Sequence, residues 1–223
     1  MKKNILKVLI VFLFYANCYS QRITIKNVES RLITDQGIEF IGDLKDNSDN
    51  EYTYSNWSNQ GVFFVDGKEY YLSNINFNIT TNSFESRLNR NQLFSYKNSN
   101  LDSVSLNNNL YKKVSGYFYE VLLSKGNNSF LKKYDVAYQA GFRNRLDGTI
   151  SKPTAFVTYK YLIKFEDAFT QIEFNKNSIL SLVKDDFQNV LEEFIDNERL
   201  SYRRENDIVK ILEFMFKNSS KMI

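Results

Sequence analysis

From residue 22 onward, apolar side chains recur mainly at every second position. The clearest run spans residues 116–138. Tyr117, Tyr119, Val121 and Leu123 alternate there with Phe118, Glu120 and Leu122. Beyond residues 124–128, Phe130, Tyr134, Val136 and Tyr138 alternate with Leu131, Lys133, Asp135 and Ala137. Successive side chains of a strand point to opposite faces, so this period predicts one long β-hairpin. Its connection holds Gly126, Asn127 and Asn128, residue types that accept positive φ. One face is read as aromatic and aliphatic. The other carries Glu120, Lys133 and Asp135, which predicts a sheet with one dry and one partly wet side.

Other runs follow the same period. Residues 22–28 and 37–41 read as short strands. Residues 61–72 read as a hairpin around Asp66-Gly67, a strong turn signal between apolar runs. Residues 74–79 alternate Asn with Ile and Phe, which predicts a strand with Asn outward. Residues 93–97 and 101–106 are weaker candidates, and 154–163 and 169–174 resume the pattern. Residues 43–59 read as a loop rich in Asp, Asn and Ser, and 139–153 as a loop holding the only proline.

The period then changes. Ser178 is placed as the cap of a short helix with Ile179, Leu182 and Val183. Asp186 precedes Phe187, Val190, Leu191, Phe194 and Ile195, and Ile208, Ile211, Leu212, Met215 and Phe216 form a further stripe. Strands followed by helices predict an α+β fold. The expected form is a curved antiparallel meander, or a partly closed barrel-like sheet, followed by two or three C-terminal helices. It is read as one domain over 21–223, β-rich over 22–174 and helical over 178–218.

Residues 1–20 change the picture of charge. Lys2 and Lys3 precede an apolar stretch from Val8 to Ala16, which reads as a signal peptide and is short for a membrane span. Cleavage is expected between Ser20 and Gln21. A lipid anchor on Cys18 is the rival reading, with Asn17 where a small residue is usual. The full chain has 29 basic and 26 acidic residues. Loss of Lys2, Lys3 and Lys7 leaves 29 − 3 = 26 basic against 26 acidic. The pI of about 8.7 is therefore a property of the precursor. A neutral chain lacks the long-range field that drives nucleic-acid binding. The expected location is the periplasm, the outer-membrane surface or the medium, with no transmembrane segment in the mature chain.

Histidine is absent and Cys18 is the single cysteine. This excludes Ser-His-Asp triads, cysteine nucleophiles in the mature chain and His/Cys zinc sites. A disulfide framework is excluded too. No cofactor, metal or catalytic residue is assigned. The candidate sites are few. Asp46, Asp49 and Glu51 offer oxygen ligands suited to calcium, but the EF-hand spacing is missing, and a solvated loop is the plainer reading. Asp102-Ser103-Val104 matches a short acceptor pattern for O-linked glycans on Ser103. Phe142, Arg143 and Arg145, with Lys152, form a candidate ligand loop for an anionic group. Arg199, Arg203 and Arg204 sit at a helix end. Trp57 and the Tyr117/Tyr119 and Tyr134/Tyr138 pairs are read as packing aromatics rather than sugar platforms. Glu120 is the best single acid for carboxylate chemistry, whereas Asp185/Asp186 and Glu192/Glu193 diverge on helices.

One resemblance adds to these readings. The order is Trp57, Gly61-Val62, Asp66-Gly67-Lys68 with Tyr70, then Asn76-Phe77-Asn78. Residues 118–122, Leu131-Lys132-Lys133-Tyr134 and the helix from Asp207 to Phe216 follow. This order is similar to a family of uncharacterised exported proteins of Bacteroidetes over residues 52–217. Phe214-Met215-Phe216 departs from it where tyrosines are expected. The resemblance implies export to the cell envelope and supplies no activity. The expected function is a non-enzymatic binding or structural module whose partner is an envelope protein or a small ligand. The alternatives are a carboxylate-only enzyme on carbohydrate and a carrier of an apolar ligand.

Overall fold

Antiparallel hairpins build both sheets of this protein. The computed structural model describes residues 24–25, 31–33, 39–46, 51–97, 99, 101–141, 149–166, 168–218, 220 and 222. The strands are β1 (Thr24–Ile25), β2 (Arg31–Ile33), β3 (Glu39–Asp46), β4 (Gln60–Val65), β5 (Lys68–Ser73), β6 (Ile75–Asn78) and β7 (Ser83–Arg87). They continue with β8 (Gln92–Tyr96), β9 (Ser103–Leu106), β10 (Asn109–Val114), β11 (Tyr117–Lys125), β12 (Asn128–Gln139), β13 (Thr154–Phe165) and β14 (Ala168–Ile172). Helices α1 (Lys176–Leu180), α2 (Asp185–Asn197) and α3 (Glu205–Lys217) follow.

The expected α+β class, with antiparallel strands before C-terminal helices, is the class observed. The strands divide between two open sheets, ordered β1-β2-β3-β8-β7-β6 and β14-β13-β12-β11-β10-β9-β4-β5, and neither closes into a barrel. Local turn chemistry sets much of this. Asp66-Gly67, Asn107-Asn108 and Ser115-Gly116 are two-residue connections with positive φ at both positions. That backbone twist matches the twist of the flanking strands, and Asn, Asp and Gly tolerate it best.

The eight-stranded sheet uses one face for two partners. Toward β4, β9, β10 and β11 it packs on the six-stranded sheet through Phe63, Phe77, Phe84, Tyr111 and Phe118. Their rings meet at 4.9–5.7 Å, mostly edge to face, an arrangement the ring quadrupole favours. Toward β12, β13 and β14 the same face packs on the helices through Phe130, Ile163 and Ile172. Phe187, Leu191 and Ile195 of the first predicted stripe and all of Ile208, Ile211, Leu212, Met215 and Phe216 are buried there, whereas Phe194 is half-buried and Val190 is 46% exposed. Among the described residues no helix is long and apolar enough to cross a membrane.

Several local expectations are corrected. The predicted hairpin is β11–β12, but Glu120 opposes Lys132, which puts it on the inner face with Phe118 and Tyr134. Tyr117, Tyr119 and Val121 share the outer face with Leu131, Lys133 and Asp135. A register shift between Val121 and Leu123 then moves Leu123 opposite Phe130. Strand β3 continues through the predicted loop to Asp46, because Gly42–Asp46 pair with β8. Asn76 and Asn78 are buried rather than outward. The first helix is capped by Asn175, whose side chain accepts from the Ser178 amide, so Ser178 lies inside the helix. Helix α2 starts after Lys184, with Asp185 and Asp186 in its first turn.

Candidate functional site

Lys132 lies midway along β12, between Phe130 of the helix-side core and Tyr134 of the sheet-side core. Its neighbours across the strands are Glu120 and Tyr161. Lys132 Nζ is 2.9 Å from Glu205 Oε2, in the first turn of α3, and 4.4 Å above the Tyr159 ring. Tyr161 donates its hydroxyl to the same Glu205 oxygen at 2.6 Å, and Tyr134 donates to Glu120 Oε2 at 2.5 Å. Burial pushes the Tyr134 and Tyr161 hydroxyls well above the usual tyrosine value. Tyr111 and Glu120 raise the first further, and Glu205 the second. Both tyrosines therefore stay protonated donors. Each of the two carboxylates already accepts a tyrosine hydrogen bond. This seam locks the helices and the sandwich to the same sheet face, and it holds Glu120 as a structural acceptor.

A second polar cluster was hidden in the sequence. Residues 51–54 lie beside β6, with Thr53 N donating to Phe77 O at 3.1 Å and Ile79 N to Glu51 O at 2.9 Å. Under this cover, the fully buried Glu85 accepts from Tyr52 at 2.7 Å and Asn78 at 3.1 Å, with Lys45 Nζ at 3.6 Å. Asn76 donates to the carbonyls of Tyr54 and Asn56. Trp57 meets Tyr52 edge to face at 4.9 Å and carries the Arg87 guanidinium 5.2 Å from its ring centre. The alternating Asn residues and the aromatics at 52, 54 and 57 were the available signals. Nothing local tied the two segments together.

A cavity of about 740 Å³ opens where β4 begins, β5 ends and β9 turns into β10. Ser58, Gln60, Ser105, Asn107 and Asn108 supply hydroxyls and amides, and Tyr71 supplies a ring. Among the described residues, Tyr71 is the only ionisable side chain lining it. The turn chemistry builds this wall. Asn107 and Asn108 both take positive φ. Asn107 donates to Asn59 Oδ1 at 2.8 Å and accepts from the Gln60 amide at 3.2 Å. Tyr71 donates to Glu69 at 2.9 Å, which holds the ring and raises its hydroxyl pKa, yet the residue remains 56% exposed. Fixed amides, hydroxyls and an open ring face suit an uncharged, hydroxyl-rich ligand.

The other expected residues are dispersed. Ser103 is half-buried on β9, which is paired on both sides; its side chain lies on the outer face, opposite in sense to the core residue Val104. Asp43 and Asp46 are strand residues opposing Ser95 and Gln92, so the calcium-type loop does not form over them. Asp49 lies outside the described residues, as do Ser20, Gln21, Cys18, Phe142, Arg143 and Arg145. Arg199 adopts positive φ just past α2, and Arg204 pairs with Asp207 at 2.7 Å. Glu39, Asp66 and Asp102 line a cavity of about 400 Å³, where Asp102 accepts the Asp66 amide at 2.9 Å. Among the described residues no group of three or more Asp, Glu, His or Cys is placed to hold a metal ion. No protein-family model, curated protein or solved structure matches the chain.

Proposed function

We propose that this is an exported cell-envelope protein, of the Bacteroidetes type its sequence resembles, that works by binding an uncharged saccharide. The observation that carries this reading is the 740 Å³ cavity with its amide and hydroxyl walls and the exposed Tyr71 ring. That volume falls in the roughly 300–1,000 Å³ range of small-molecule sites. Sugar C–H faces stack on aromatic rings, and their hydroxyls need donors and acceptors without net charge. A carrier of an apolar ligand would need a hollow core. Phe63, Phe77, Phe84 and Phe130 are fully buried and packed, which favours a surface site instead. The signal-like residues 1–20, cleaved before Gln21, supply the route out of the cytoplasm, and Ser103 is the proposed glycan acceptor.

Titration of the purified protein with neutral oligosaccharides, followed by NMR shifts, tests the binding reading. Saturable shifts at Tyr71, Asn107 and Asn108 are expected, with affinity falling roughly tenfold or more in Tyr71→Ala, equivalent to about 1.4 kcal/mol. A panel without any saturable binder, or binding indifferent to Tyr71→Ala and Asn108→Ala, refutes it. The carboxylate-enzyme reading has the Glu39/Asp66/Asp102 cavity behind it. The same panel decides it, because release of shorter saccharides, abolished by Glu39→Gln or Asp66→Asn, would replace binding by hydrolysis. N-terminal sequencing and intact mass of protein from the host envelope test export and Ser103. A retained residue 1 or a bare polypeptide mass overturns the respective statement.

A further inference from the structure

The outer face of the eight-stranded sheet carries a different kind of concavity. A trough of about 370 Å³ runs over β10 to β14. Its apolar lining includes Val121 and Leu131, which oppose each other across β11–β12, and Phe169 of β14, which is 43% exposed. Lys112 on β10 and Lys164 on β13 line it from opposite sides. Three strand spacings and four residues along the strand separate them, roughly 19 Å of backbone on the diagonal, with the Val121–Leu131 row between them. Lysine stems of this length lie along apolar surface and carry the ammonium to its edge. Among the described residues no carboxylate lines the trough, and neither ammonium has an acidic partner. Elsewhere on this face Lys160 pairs with Asp135 at 2.6 Å, and Lys133 Nζ lies 4.6 Å over the Tyr117 ring.

We infer that the trough binds a free single-chain aliphatic anion, its tail on Val121, Leu131 and Phe169 and its carboxylate or phosphate between Lys112 and Lys164. Both ammoniums reach over the floor on their stems with no carboxylate lining it to meet them, and an inorganic ion would engage them without using the floor. An amphiphile satisfies both. The trough is a bounded depression of small-molecule size, which fits one chain rather than a bilayer surface. It is separate from the rim cavity and does not depend on the saccharide reading.

Calorimetric titration of the purified protein with decanoate, acetate and decyltrimethylammonium as probes tests this, with phosphatidylglycerol vesicles as a fourth arm. Decanoate is expected to bind saturably and to weaken as salt rises, while acetate and the cationic amphiphile do not bind at the same concentrations. Lys112→Gln/Lys164→Gln should weaken decanoate roughly tenfold or more, equivalent to about 1.4 kcal/mol. Lys112→Arg/Lys164→Arg should retain it, and Tyr71→Ala should leave it unchanged. Equal binding of both amphiphiles would make the trough merely an apolar patch. Binding untouched by the double Gln variant, or seen with vesicles alone, would overturn the inference. Should the double variant fail to fold, the charge selectivity and salt dependence of the unaltered protein decide the matter.

Discussion

Replacing Lys132 by methionine removes the cation from the seam while keeping most of its stem. Lys132 Nζ lies 2.9 Å from Glu205, and the two side chains are 12% and 31% exposed. At an effective dielectric of about 20 the gross attraction at that distance is roughly 6 kcal/mol. Desolvation and lost rotamer freedom cancel most of it. Exposed pairs net about 0–1 kcal/mol, and breaking a buried pair costs about 3–5. A pair buried on one side and partly wet on the other belongs between, near 2 kcal/mol. The contact with the Tyr159 ring at 4.4 Å adds about 0.5–1 kcal/mol. The expected loss is thus about 2–3 kcal/mol, or a melting temperature lower by roughly 5–10 °C for a domain of this size. Urea unfolding of Lys132→Met, Glu205→Gln and the double variant closes a cycle with an expected coupling of about 1–2 kcal/mol. A single-variant loss below about 0.5 kcal/mol, or a coupling near zero, would show that solvent screens the seam and that it does not lock the layers.

Three further outcomes follow from the packing. Asn82, at positive φ in the β6–β7 turn, donates to Phe118 O at 3.2 Å and accepts from Phe118 N at 2.7 Å, bridging the two sheets. Asn82→Ala should cost about 3 kcal/mol in chemical denaturation, from two buried unsatisfied groups and a strained φ, with Asn82→Gly recovering only the strain. Gly42 on β3 faces β8 so closely that a Cβ would overlap the Ser95 carbonyl and the Phe94 ring. Gly42→Ala should therefore destabilise by about 1–3 kcal/mol, and an unchanged midpoint would mean that this sheet pairing is wrong. Burial raises the hydroxyl pKa of Tyr96, Tyr111, Tyr134 and Tyr161, so the folded state holds these protons longer than the unfolded chain. Their contribution to stability is complete below the unfolded value of about 10 and is lost as pH rises beyond it. Alkaline absorbance titration should show these four tyrosines ionising only with unfolding, and a full native titration would contradict the burial.

Period and turn residues determined the elements by themselves. Alternation over 117–138, Asp66-Gly67 and the helical stripes after 178 are local signals, read from a few neighbouring residues, and they produced hairpins β4–β5 and β11–β12 and helices α2 and α3. The absence of histidine, and of any cysteine beyond Cys18, likewise bounded the chemistry without any structure. The Asn107-Asn108 turn is an equally local signal that the sequence reading left unused, and it forms a wall of the cavity assigned here to ligand. What tertiary structure alone decided was which faces meet. Glu120 joined the inner seam because its partner is Lys132, a register set by the bulge at Val121/Leu123. Asn76 and Asn78 went inside because residues 51–59 fold over them. One sheet became two because β3 pairs with β8 across more than forty intervening residues. Pairings of that kind depend on the burial of the whole Phe63–Phe77–Phe84 cluster, an energy that no short window of sequence contains.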